Sequence, residues 1–137
     1  MTSSNTISLR GRRGLVVGIA NGSSIATDCA RAFAGAGATL AATYLHEKSL
    51  PYVRAVTEPL GCALLPPCDV HAPGKLEAVF ERLLAEWGGL DFLLHAIAVP
   101  PAADLHSRFI DCSAEGFVLA MDVSCHSFLR VRILPSR

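Results

Sequence analysis

The run Gly14-Leu15-Val16-Val17-Gly18 carries no polar side chain on either face. A strand of that kind needs cover above and below. A parallel sheet clothed by helices supplies it; an antiparallel sheet with one wet face does not. The residues that follow point the same way. Ile19-Ala20-Asn21-Gly22-Ser23 is a turn of mostly small residues. Ser24 to Ala36 then reads as a helix, with Ser23 or Ser24 as N-cap and Gly35 and Gly37 as stop signals.

The alternation continues. Ala38 to Tyr44 predicts a second strand, Pro51 to Leu60 a helix with proline in its first turn, and Cys62 to Leu65 a short third strand. Pro73 to Trp87 is the most regular helix. Leu76, Val79, Phe80, Leu83, Leu84 and Trp87 recur there at the helical period, and the stripe reads as core rather than as a cofactor contact. Leu90 to Ala98 predicts a fourth strand, and Ser113 to about Leu134 a last helix with Ser113 as N-cap. Val99 to Cys112, with Pro100 and Pro101, is the one long irregular stretch. Right-handed crossovers turn this order into a doubly wound, Rossmann-like α/β parallel sheet with strand order 3-2-1-4. It is expected to form a single domain over residues 1–137 that is cut off after about four strands. The fourth strand then lies at an apolar edge, and Phe117, Val118, Met121, Phe128 and Leu129 of the last helix look toward a missing partner. Such an edge predicts association between copies of the chain.

Charge narrows the function classes. Twelve Lys and Arg balance twelve Asp and Glu among 137 residues. A nucleic-acid binder held by phosphate neutralisation would show a basic excess, so no nucleic acid is expected as partner. Arg10, Arg12 and Arg13 read as a solvated lead-in to the first strand. The five cysteines are odd in number and lack a C-x-x-C pair, which argues for a reducing cytoplasm rather than a disulfide framework. No apolar run approaches the roughly 18 residues of a membrane span, and the first residues lack the apolar core of a secretory signal. No membrane partner is expected.

The turn after the first strand is where chemistry is expected. A strand, a turn of small residues and a helix N-terminus make an anion site, because the backbone can approach closely and free N–H groups point at the ligand. The glycine fingerprint G-x-G-x-x-G is not met: Ala20 and Ser23 stand where two of its glycines would be. Dinucleotide binding and a plain tight turn both remain open on these residues alone.

Several motifs in order carry a resemblance. Gly18-Ile19-Ala20 with Ser24-Ile25-Ala26 is followed by Thr43-Tyr44, Glu47-Lys48, Cys68-Asp69-Val70, Trp87-Gly88, Leu90-Asp91-Phe92, His95-Ala96-Ile97-Ala98, Gly116-Phe117, Asp122 and Ser127-Phe128. From Leu9 to about Arg130 the chain resembles the N-terminal half of bacterial enoyl-acyl carrier protein reductases, a divergent branch of the short-chain dehydrogenase/reductases. The resemblance implies a cytoplasmic oxidoreductase of fatty-acid biosynthesis that reduces an enoyl thioester on acyl carrier protein. NADH is the implied cofactor, with NADPH as the variant. Gly18, Ser24 and Ile25 would line the phosphates and ribose, Asp69 and Val70 the adenine, and Ala96 and Ile97 the nicotinamide half. The last helix would contribute to an oligomer interface.

The chain departs from the family pattern at Asp28, where glycine is usual and a carboxylate facing the sheet would cost packing. Ala96 replaces a serine, and Leu45 stands where many members have a polar residue. The family's proton-donating Tyr and ribose-holding Lys fall beyond residue 137, so no catalytic residue is assigned. Tyr44 and Lys48 match the wider superfamily's Tyr–Lys spacing, but on the adenosine side. The tail from Arg130 to Arg137 leaves the pattern, which suggests a truncated or frame-shifted reading frame. The stretch Tyr44 to Lys48 offers both an acid for a free 2′-hydroxyl and a cation for a phosphate, so NADH and NADPH are not separated.

Other clusters have ordinary readings. Cys68 and His71 have the spacing of half a metal site, but no second pair stands at ligand spacing, and no metal is expected. Ser124-Cys125-His126 cannot pair as a dyad, because neighbours on a helix point about 100° apart. His95 reads as a satisfied core or rim histidine. Asp69 has an alternative as the cap of the next helix.

Overall fold

The computed structural model describes residues 7–131. Strand β1 (Arg13–Val17) occupies the middle of a four-stranded parallel sheet of order β3-β2-β1-β4. Its neighbours are β2 (Thr39–Ala42) and β4 (Phe92–His95), while the short β3 (Ala63–Leu64) pairs with β2. Leu15 lies opposite both Ala41 and Leu93, so the most apolar positions share one level of the sheet.

The period of two along β1 divides the core. Leu15 and Val17 face a layer formed by α3 (Lys75–Trp87) and α5 (Ala114–Met121), whereas Val16 faces α1 (Ile25–Gly35) and α2 (Leu50–Thr57). Both faces of the strand are therefore covered, as its lack of polar residues requires. On α3, Leu76, Val79, Phe80 and Leu83 are buried, each large side chain stabilising the fold by roughly 1.5–3 kcal/mol. Leu84 is a correction: it is 42% exposed. It stands about 80° around the helix from Leu76, at the rim of the stripe.

The elements are shorter than expected at their ends. β2 stops at Ala42, although the Thr43 amide still donates to the Val16 carbonyl. β4 covers only Phe92–His95, although the Ala96 amide donates to Val17 at 2.9 Å. Beyond that bond the strands diverge, because Gly18 turns away at φ 119° and its Cα lies against the Ala96 carbonyl. A Cβ there would run into that carbonyl, so both the angle and the approach require glycine. At the opposite end, Arg10 and Arg12 are exposed as expected, but Arg12 and Arg13 are also fastened to the sheet. Asp91 accepts from Arg12 at 2.9 Å and from the Arg13 amide at 2.8 Å, and Arg13 sits over Trp87.

The stretch from Val99 to Cys112 is not wholly irregular. It holds a short helix α4 (Ala102–Leu105) and a 3-10 turn (Phe109–Asp111). Ser113 caps α5 as expected, accepting from the Gly116 amide at 2.9 Å. The last helix is not continuous. A π-helical turn (Asp122–His126) separates α5 from α6 (Ser127–Leu129). Within it the Ser127 hydroxyl donates to the Val123 carbonyl at 2.7 Å, a back-bond of the kind that bends helices. The helix ends at Leu129, short of the expected Leu134, with Arg130 as its C-cap; residues 132–137 lie outside the described residues. No helix among the described residues is long and apolar enough to cross a membrane.

Candidate functional site

A cavity of about 660 Å³ opens at the carboxyl ends of β1, β2 and β4. In an open parallel sheet this is where strand order reverses and ligands bind. Gly18, Asp69, Val70, Ala96 and Ile97 all line it. Ser24 and Ile25 do not. Ile25 is 80% exposed at the start of α1, and Ser24 shapes the turn from within.

That turn is held by its own polar groups. The Asn21 carbonyl accepts from the Thr27 hydroxyl at 2.7 Å and from the Ser24 hydroxyl at 3.0 Å, while Asn21 Oδ1 accepts from the Ser23 amide at 2.9 Å. The Ser24 side chain makes no cap bond to α1. The Thr27 and Asp28 amides turn to the Ser24 carbonyl, which leaves the Ile25 and Ala26 amides at the start of the helix to face an anion, and the helix dipole favours one there. Asp28 corrects the expected packing cost. It points outward and pairs with Arg31 at 3.0 Å, so it does not meet the sheet.

Asp69 is exposed at the far wall of the cavity. Its Oδ1 accepts from the His71 amide at 2.9 Å, which leaves Oδ2 without a partner among the described residues. It does not cap α3; Gly74 holds that position. Val70 and Cys68 beside it are buried, and burial pushes the Cys68 thiol up to about 11, so it stays protonated. At the other end, His95 packs edge-on against Phe128 and bonds through Nε2 to the Ser127 hydroxyl at 2.7 Å. Because Ser127 donates to Val123, its oxygen must accept from the imidazole N–H. Burial lowers the His95 pKa and favours this neutral form. His95 is a satisfied rim histidine.

One cluster was not foreseen. Asp122 accepts from His71 Nδ1 at 2.9 Å and from His126 Nδ1 at 3.0 Å. These two imidazoles hold its carboxyl below the usual value. The i,i+4 spacing of Asp122 and His126 was a signal for one half of it; nothing local announced His71. His126 therefore turns to Asp122 rather than to Cys125, which is exposed.

A family model described as enoyl-(acyl carrier protein) reductase matches residues 18–132. The chain belongs to the enoyl-acyl carrier protein reductase family. Among members of that family it is 37% identical, over 129 residues, to enoyl-[acyl-carrier-protein] reductase [NADH] 1 of Rhizobium meliloti, a match covering 94% of the chain and 47% of that protein. It is 38% identical to the Aquifex aeolicus enzyme FabI, covering 93% of the chain and 48% of that protein. The reductase of Anaplasma phagocytophilum, solved in complex with NAD, superposes with a TM-score of 0.84 at 37% identity, over 90% of the chain and 47% of its own. The chain thus spans about half the length of the reductases it matches.

Proposed function

We propose that the chain forms the dinucleotide-holding half of an enoyl-acyl carrier protein reductase of fatty-acid biosynthesis, working in the cytoplasm with NADH. The observation that carries this reading is the convergence of Gly18, Asp69, Val70, Ala96 and Ile97 on one cavity at the carboxyl ends of the strands. The residues suit the cofactor. Gly18, without a Cβ, seats the Ala96 carbonyl and ends β1 in the turn that opens the cleft, the Ile25 and Ala26 amides at the start of α1 suit a pyrophosphate, and Asp69 Oδ2 is an acceptor for the adenine amine. Val70 supplies an apolar wall, and Ala96 and Ile97 shape the nicotinamide end. Ser24 acts on the phosphates from the rim by fixing the turn, and Ile25 meets them from the exposed start of α1. When bound, the cofactor supplies the hydride for an enoyl thioester on acyl carrier protein. The bare face of Phe117, Val118, Met121, Phe128 and Leu129 supports association of copies of the chain.

One observation favours a second reading. Neither tyrosine stands at the Ala96–Ile97 end: Tyr44 donates to Glu47 at 3.0 Å beyond β2, and Tyr52 is exposed on α2. A non-catalytic nucleotide-binding module, or a partner of a full-length paralogue, would need no tyrosine there. NADH titration of the purified chain, followed by calorimetry, tests the shared premise. Saturable binding that Asp69→Ala weakens is the expected result; a folded sample that binds no NADH would sink both readings. Enoyl-thioester-dependent NADH oxidation by the chain alone then separates them.

A further inference from the structure

The segment that carries Asp69 lies between β3 and α3, outside any strand or helix. Its local shape comes from its own bonds. The His71 amide donates to Asp69 Oδ1, and the Ala72 amide donates to the Asp69 carbonyl at 3.0 Å. Those bonds do not decide where the segment stands against the rest of the cleft. One end is tied to the chain after β2, where the Cys68 amide donates to the Tyr44 carbonyl at 2.8 Å. The other end is held from the last helix, at two neighbouring residues. Arg130 Nη1 donates to the Val70 carbonyl at 2.8 Å, and Asp122 accepts from His71 Nδ1 at 2.9 Å.

The π turn explains why both holds come from one helix. Two α turns take about seven residues, and closing one of them a residue later lengthens the pair to about eight. Asp122 and Arg130 bracket the π turn and α6, and the Ser127 amide donates to the Asp122 carbonyl in the wider ring. The two side chains therefore come to nearly the same side, where an unbroken α-helix would set them about 80° apart. The Arg130 guanidinium is itself fixed. Its Nη2 donates to both carboxylate oxygens of Glu77 on α3, at 3.2 and 3.4 Å, and the side chain is only 21% exposed. A planar fork held in this way orients its other partner. We propose that Arg130 and Asp122 are positioning residues for adenine recognition: they hold Val70 and His71 so that Asp69 Oδ2 meets the adenine amine. The inference rests on the cleft being the dinucleotide site.

The test compares NADH with reduced nicotinamide hypoxanthine dinucleotide, in which a carbonyl oxygen replaces the adenine amine. Calorimetric titration of the full chain is expected to favour NADH by about tenfold or more, the scale of one hydrogen bond to a charged group. Asp69→Ala should abolish that preference. Arg130→Met keeps an apolar stem without the guanidinium. It should weaken NADH by about fivefold and leave the hypoxanthine analogue nearly unmoved. Arg130→Lys retains a charged donor and should restore most of the loss. In the Asp69→Ala background, Arg130→Met should weaken NADH no further, because its effect passes through Asp69. Asp122→Ala should narrow the preference in the same direction, and it carries the comparison if circular dichroism shows Arg130→Met unfolded. A loss of both dinucleotides alike is what a purely structural role gives, and it would overturn the inference. So would a wild-type chain that binds the two equally, or variants that keep the full preference. Each of these outcomes leaves the cleft standing. If neither dinucleotide binds a folded wild-type chain, the cleft assignment and the inference fall together.

Discussion

The two flanks of the sheet are built from similar residues and end up in different surroundings. On the β1–β2 side, Leu15, Val16, Leu40, Ala41 and Ala42 are sealed, with helices above and below and strands on either side. On the β4 side, Phe92, Leu93, Leu94 and His95 are all only partly buried, although the run is just as apolar. The helices repeat the contrast. Leu76, Val79, Phe80 and Leu83 of α3 are inside, but Phe117 and Val118 of α5 are 60% and 66% exposed. An apolar pattern fixes which face a residue presents; burial needs a neighbour on that face, and β4 has β1 on one side only.

Core truncation should expose the difference most strongly. Leu15→Ala is expected to cost about 2–5 kcal/mol in urea unfolding, as for a sealed leucine, and Leu93→Ala about 1–2 kcal/mol, because less apolar surface is lost from an open strand. Equal costs would mean that the β4 flank is covered in solution. Val118→Asp should change stability by less than about 0.5 kcal/mol, since the side chain touches little of the core. It should instead shift sedimentation toward smaller species. A wild-type chain that already sediments as a monomer at micromolar concentration would remove the case for association through α5.

The smallest effect concerns how the open flank is tied to the closed one. Asp122 of the π turn is held below its ordinary value of 3.8 by His71 and then His126. A carboxyl depressed in the folded state contributes stability above its unfolded value and loses it as pH falls through the folded one. Asp122→Asn should therefore be less stable than the wild type at pH 7, and the gap should close as pH drops below about 4. A gap independent of pH would mean that the two imidazoles do not act through the charge.

Much of the architecture was legible because it is written in short-range patterns. The double-sided apolar run of β1, the period of α3 and the Ser113 cap each depend on residues within a few positions of one another. Together with the handedness of crossovers they led to the order 3-2-1-4 that the sheet adopts. The break in the last helix was not legible: a serine inside a helix can point its hydroxyl to solvent as well as back to the Val123 carbonyl, and Ser127 also bonds His95, 32 residues away.

The site divides along the same line. From the amino-acid order alone come the strand–turn–helix pattern and the motifs that place the chain in its family. Only the tertiary structure decided that Ser24 and Ile25 stay at the rim while Asp69 and Ala96 share a cavity, and that Asp122 gathers two histidines. The reason is geometric. Backbone propensity and periodicity act over a turn or two, but a hydrogen bond between residues 71 and 122 exists only after the sheet has set the distance between the loops that carry them.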